Sequence, residues 1–172
     1  MTNRITPEML SDVYHVADAG DCDFDALYAL YRSNTCYFEY FSFEPARDEL
    51  EKDMTMLPDG CTREQKHFVA YCDGDRPIAI LDLIEGYPDE YTCYIGLFMV
   101  DAELSGQGIG SAIITDLCRA LHRLGFTKVR LAYGKDYSPA ARFWTKNGFV
   151  PLREATLEKY GELIVAERVL RR

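Results

Sequence analysis

Three glycines at alternate positions, Gly106, Gly108 and Gly110, stand between an apolar run and a helical pattern. That placement suits the binding of an anion. The run is Tyr94-Ile95-Gly96-Leu97-Phe98-Met99-Val100, of strand type, followed by the short acidic connection Asp101-Ala102-Glu103-Leu104. From Ser111 to Leu124 the residues Ile113, Ile114, Leu117, Cys118, Leu121 and Leu124 recur at helical spacing. Glycines let the backbone approach a ligand, the first N–H groups of a helix lack partners, and the helix dipole favours negative charge. The expected ligand of such a turn is a phosphate or pyrophosphate. Two phosphate loops fail here. No lysine follows the glycines as a P-loop requires. The dinucleotide fingerprint needs a glycine where Ser111 stands and an acid about twenty residues on, where the chain reads Gly125-Phe126-Thr127-Lys128-Val129-Arg130.

The remaining candidates for chemistry are acids and phenols in apolar surroundings. Asp82 interrupts the strand-like Ile80-Leu81-Asp82-Leu83-Ile84, and a carboxylate there needs a partner or a cleft. Glu85 follows it. Glu39 sits within Tyr37-Phe38-Glu39-Tyr40-Phe41-Ser42-Phe43, an aromatic cluster. The cluster is expected as a loop over a binding cleft, which would make Tyr37, Glu39, Tyr40, Asp82 and Glu85 the substrate-binding set. Core or dimer contacts are the equal alternative for these aromatics.

The elements that must position these residues follow from periodicity and punctuation. Ser11–Ala17 alternates and suits a first strand. Asp21 or Asp23 caps a helix carrying Phe24, Leu27, Tyr28, Leu30 and Tyr31, and a second, acidic helix spans Pro45 to about Leu57. His67–Cys72 and Pro77–Glu85 form a hairpin through Asp73-Gly74-Asp75-Arg76. Tyr91–Val100 completes an antiparallel meander, with Gly96 suiting a bulge. The helix after the glycines closes on Gly125, and Lys128–Tyr133 returns as a strand parallel to its neighbour. Ser138 and Pro139 open a short helix ended by Asn147-Gly148, and Phe149–Leu152 and Glu162–Leu170 are the last strands.

Two stretches at matching spacing resemble the GNAT superfamily of N-acetyltransferases. Val100, Ser105, Gly108 and Gly110 take the places of the family's strand-end valine, loop opener and two glycines, with serine for the usual arginine or glutamine. Tyr137-Ser138-Pro139-Ala140 stands for its Asn-x-x-Ala, and Phe143-Trp144-Thr145-Lys146-Asn147-Gly148-Phe149 for its helix closing on Gly-Phe. The resemblance is strong over residues 94–150 and otherwise rests on element order. It implies an α/β (α+β) fold with a mixed central sheet of about seven strands, splayed in the middle, and about four helices. It implies acetyl-CoA as cosubstrate and a small-molecule or peptide amine as acceptor. The backbone of Phe98, Met99 and Val100 would meet the pantetheine arm. Ser105, Gly106, Gln107, Gly108, Ile109, Gly110 and Ser111 would hold the pyrophosphate, with Tyr137 and Trp144 beside the cofactor. Arg142, Lys146, Lys135 and Lys128 are the residues able to replace the missing arginine charge.

The family's usual acid, a tyrosine, is Trp144 in this chain, and an indole N–H cannot serve as one. Tyr137 and Tyr133 are the nearest phenols. The acid that some members place before Tyr133 is Ala132, so that base is absent, and Asp82 is a candidate base with Glu85 and Glu39 as the others. A non-catalytic acyl-CoA-binding module is the alternative that Trp144 and Ala132 raise.

Bulk properties narrow the partners. With 172 residues, 48% of them hydrophobic, the chain reads as one domain with residues 1–10 as a leader. A net charge of −9 disfavours nucleic acid and anionic membrane, and favours a cationic amine. Six scattered cysteines and three histidines show no ligand spacing, so no metal is expected. No apolar run is long enough for a membrane span or a signal peptide, and a cytoplasmic monomer or homodimer is expected.

Overall fold

A computed structural model describes residues 5–171. Residues 1–4 of the expected leader lie outside the described residues. Ile5 and Leu10 are buried in the core, while Met9 between them is exposed. The elements are β1 (His15–Asp18), α1 (Phe24–Ser33), α2 (Thr35–Phe41), α3 (Arg47–Thr55), β2 (Lys66–Asp73), β3 (Arg76–Glu85) and β4 (Thr92–Val100). There follow α4 (Ile109–Arg123), β5 (Lys128–Gly134), α5 (Ser138–Lys146), β6 (Val150–Leu157) and β7 (Gly161–Val169). One seven-stranded sheet runs β1-β2-β3-β4-β5-β7-β6. Only β4 and β5 pair in parallel, because α4 crosses between them.

The sheet is covered on both faces. Side chains of α4 and α5 pack with Val69, Leu81, Leu83 and Ile95 on one face. Those of α1 and α3 pack with Phe68, Ala70, Ile80 and Met99 on the other. β3 is therefore buried at every position after Arg76 instead of alternating.

The sequence expectations hold for the meander and for the strand–loop–helix unit, with three corrections. The aromatic cluster is not a loop. It forms α2, which starts directly after Asn34 and ends where Ser42 enters the left-handed region at φ 58° and donates its N–H to the Glu39 carbonyl oxygen. With α2 the described residues hold five α-helices, in keeping with the about four expected. The first strand is shorter than its alternation suggests. Ser11 leaves the ladder because its hydroxyl accepts from the Val13 and Tyr14 N–H groups and donates to Asp116, making a local turn. β6 runs on to Leu157, well beyond Leu152, because it pairs with β7 along its whole length.

Candidate active site

β4 and β5 pair only from Thr92 opposite Lys128 to Ile95 opposite Leu131. Beyond that point β4 stays with β3 as far as Val100, while β5 stays with β7 as far as Gly134. The strands separate into a cleft of about 640 Å³. The cause is a bulge. Asp82 faces Leu97 and Leu83 faces Ile95, so Gly96 is the unpaired extra residue. One inserted residue reverses the alternation: Cys93 and Ile95 face the α4 side, but so do Phe98 and Val100, while Leu97 and Met99 turn to the α1 side. Only glycine fits there, since a Cβ at Gly96 would lie 2.7 Å from Oδ2 of Asp82.

At the open end of β4 the glycine loop turns into α4. Gly106 and Gly108 both have φ +78°, and no atom lies within 4 Å of where either Cβ would be. Among the described residues, the N–H groups from Gly106 to Ser111 donate to no protein atom. Gly110 serves a different end. Its missing Cβ would meet the Phe143 ring at 3.1 Å and Val100 Cγ2 at 3.4 Å, so it lets α4, α5 and β4 close up. Ser105 is exposed at the cleft mouth. Asn147 Nδ2 donates to the Ser111 hydroxyl at 3.1 Å and to the Phe143 carbonyl oxygen at 2.8 Å, tying the end of α5 to the start of α4.

Of the cations able to stand in for an arginine at Ser105, Lys135 pairs with Glu154 at 3.1 Å. Lys128 begins β5, opposite Thr92 at the far end of the sheet from the glycine loop. Arg142 and Lys146 are exposed on α5 and have no ion-pair partner among the described residues.

The β5 side of the cleft carries two of its phenols. Tyr133 is buried and Tyr137 half-buried, and both line the cleft with Ala132 and Trp144. Burial raises both phenols above their ordinary range, so both keep their protons at neutral pH. Trp144 is 8% exposed and packs edge-on against Phe143 and Phe149, and obliquely against Phe98.

The opposite wall is α2, brought there by Asn34. The Asn34 side-chain amide donates to the Leu30 and Val100 carbonyl oxygens at 3.0 and 3.1 Å, turning the chain out of α1 and fixing it to the end of β4. Tyr37 and Phe41 line the cleft. Tyr40 bridges it instead. Its ring stacks on Tyr137 with centroids 4.7 Å apart, and its hydroxyl accepts from the Asp136 N–H at 3.2 Å. A Cβ at Gly134 would come within 2.2 Å of that ring, so this bridge needs glycine at the end of β5.

The acids divide. Asp82 is buried beside Gly96, where Lys66 Nζ donates to both its oxygens at 3.0 Å. Burial pushes its carboxyl up to about 6 against the pull of Lys66. Near it, Tyr31 donates to Asp53 at 2.9 Å, and burial raises that carboxyl too. Glu85 is turned to the other face, in contact with His67 at 2.8 Å and accepting from the Ile5 N–H. Glu39 is exposed on α2. None of Asp82, Glu85 and Glu39 lines the cleft, although Asp82 lies directly behind its wall at Gly96. Sequence reasoning missed Leu157, Tyr160 and Leu163 of the β6–β7 hairpin, which also line the cleft. No spacing marks them, because the chain reaches the cleft there from about sixty residues beyond β4. Among the described residues no group of His, Cys, Asp and Glu could hold a metal, and no helix is long and apolar enough to cross a membrane.

Residues 27–149 match the sequence profile of the Acetyltransferase (GNAT) family, well over half of the chain. The chain belongs to the GNAT acetyltransferase family, and the enzyme is an acyltransferase. Its fold is shared with solved structures at low identity. An acetyltransferase from Thermus thermophilus superposes with a TM-score of 0.72 at 19% identity, over 86% of this chain and 91% of that one. A GCN5-related N-acetyltransferase from Kribbella flavida gives 0.62 at 22%, over 96% and 100%. The ribosomal-protein-S18-alanine N-acetyltransferase from Escherichia coli gives 0.67 at 13%, over 93% and 96%. No curated protein matches the chain significantly.

Proposed function

We propose that this GNAT enzyme moves an acetyl group from acetyl-CoA to a primary amine by direct attack of the amine. The observation that carries the reading is the conjunction of an unpaired strand edge with a row of free amides. Beyond Ile95, β4 offers backbone that no β5 residue pairs, and it leads straight to N–H groups without partners. The pocket fits the cosubstrate. Gly106 and Gly108 leave open space where side chains would stand, and the start of α4 favours a pyrophosphate. Phe98, Met99 and Val100 would run along the pantetheine arm, with Trp144 and Tyr137 flanking it. Ser105 donates one hydrogen bond where a guanidinium would add charge, and Arg142 and Lys146 remain free to supply it.

Bound acetyl-CoA supplies an activated thioester, and the chain supplies position, proton transfer and dryness. Tyr137 is the favoured proton donor to the departing thiolate. Its ring is fixed by Tyr40 and its phenol is protonated at neutral pH. Tyr133, buried in the same wall, is the second phenol on the β5 side of the cleft. Asp82, behind the cleft wall at Gly96, is the favoured proton acceptor, and a water would have to carry the proton to it. A carboxyl near 6 is ionised at neutral pH yet basic enough to relay a proton. The test is an amine panel with thiol detection beside calorimetry with CoA. Thiol release with at least one amine and one CoA bound per chain are expected. CoA that does not bind would remove the reading.

A further inference from the structure

We propose that the acceptor of this enzyme is an amine carried on an aromatic or branched apolar body, held between α2 and the β6–β7 hairpin. The inference rests on the acetyl-transfer reading and concerns the acceptor end of the same cleft. That end is a chamber of side chains. Tyr37 and Phe41 come from α2, Tyr94 and Leu97 from β4, and Leu157 and Tyr160 from the hairpin. The rings brace one another: Phe41 lies 5.0 Å from Tyr37 and 5.4 Å from Tyr160, centroid to centroid. Such walls favour a flat or branched apolar group of similar size.

Charge argues the same way. A polyamine needs carboxylates for its second and third ammonium groups, because burying an unpaired charge is costly. The acids near the chamber are engaged: Asp82 by Lys66, Glu49 by Lys159 and Lys52, and Asp53 by the Tyr31 hydroxyl. Asp101, the carboxylate that does line the cleft, is paired with Arg76 at 2.9 Å. The Lys159 ammonium lies over the Phe43 and Tyr160 rings, 5.0 and 5.5 Å from their centroids, and repels a polycation at the rim. What the chamber offers a polar group is phenols. Among the described residues the hydroxyls of Tyr37, Tyr94 and Tyr160 have no hydrogen-bond partner. Three phenols and several ring faces can hold one amine. An apolar chamber also favours its neutral, nucleophilic form. The net charge of −9, which suggested a cationic acceptor, therefore belongs to the outer surface and not to this chamber.

Calorimetric titration with phenethylamine and with spermidine tests this, on the protein alone and on the protein loaded with CoA. Phenethylamine should bind at least about tenfold more tightly than spermidine in one or both states. Phe41→Ala should weaken phenethylamine about tenfold and leave CoA affinity within about twofold. Phe41 also braces α2, so Leu157→Lys provides a second probe at a half-exposed hairpin position where folding is not at stake. It should weaken phenethylamine by a similar factor. Spermidine binding as tightly as phenethylamine, no detectable phenethylamine binding in either state, or phenethylamine affinity unmoved by Leu157→Lys would each overturn the proposal. CoA failing to bind while phenethylamine binds would instead strike the cosubstrate reading and leave the chamber standing.

Discussion

The two halves of the cleft are built from different materials. The half beside α4 is backbone: free amides, two glycines with positive φ, and a strand edge left open by a bulge. The half beside α2 is side chains, contributed by α2, β4 and the β6–β7 hairpin, and closed across the top by Tyr40 stacked on Tyr137. Backbone recognises what every member of a family must hold, because N–H groups are the same whatever the sequence. Side chains are free to change, and with them the acceptor. A change on the first half should therefore affect cofactor binding, and a change on the second should affect acceptor, geometry or rate at constant cofactor affinity.

The largest expected effect breaks the first half outright. Gly108→Glu puts a carboxylate where free amides converge, at φ +78°, which side chains rarely adopt. CoA binding by calorimetry should vanish while the circular dichroism spectrum stays that of the wild type. CoA affinity that is unchanged would mean that the amides are not the pyrophosphate site.

On the other half, Tyr137→Phe removes the favoured proton donor but keeps the ring that stacks on Tyr40. Turnover should fall, by no more than the roughly 10²–10⁴-fold span of general acid catalysis, with CoA affinity nearly the same. A variant with wild-type turnover would pass the role to Tyr133 or to water.

Asp82 lies behind the cleft wall at Gly96, and its sign is definite. Below about pH 6 the carboxyl holds its proton and cannot accept another. As pH falls through that value kcat/KM should fall with it, about tenfold per unit at the steepest. Asp82→Asn should lower the rate at neutral pH and remove that limb. The same limb in the variant would show that another group titrates.

The bridge itself gives a smaller effect, read in stability. Gly134→Ala places a methyl against the Tyr40 ring, and the displaced ring should cost about 1–3 kcal/mol by denaturant unfolding. Tyr40→Ala in the same chain should recover part of that cost. If the two losses simply add, the ring and the strand end do not touch in solution.

These contrasts also explain what the sequence made readable. The strand, the glycine loop and α4 are local in the chain, and each depends on residue types that sequence displays: positive-φ glycines, an apolar period, a glycine after the last turn. The bulge was legible in Gly96, though the reversal of facing it imposes on Phe98 and Val100 emerged only from the pairing. The acceptor half resisted. Seven consecutive residues dominated by aromatics lack a cap and have middling helix propensity, so α2 gives little local signal. Its position is set at long range, by Asn34 reaching the Val100 carbonyl and by Tyr40 settling over Gly134. Asp82 announced itself as a charge in an apolar strand, but nothing in its neighbourhood named Lys66 as the partner. Glu85 looked equivalent from sequence and faces the other way, because a bulge-free strand alternates and the two lie three positions apart, an odd offset.

The smallest effect is expected at Trp144, and it sharpens the comparison most. If a phenol at this place were required, the wild type should be silent and Trp144→Tyr should restore activity. The packing argues otherwise. The indole is 8% exposed and wedged against Phe143 and Phe149, as a wall of the cleft is, while Tyr137 already presents a protonated phenol nearby. Positioning can supply several kcal/mol of the barrier without an acid, and a thiolate leaves readily. Trp144→Tyr should therefore change kcat less than about tenfold, and cost stability through the packing it loses. The combination with Tyr137→Phe separates the cases. A tyrosine at 144 that restores the rate lost at 137 would show that either wall position can deliver the proton. No rescue would leave Trp144 a packing residue and assign the proton to the side of the cleft that Tyr40 holds in place.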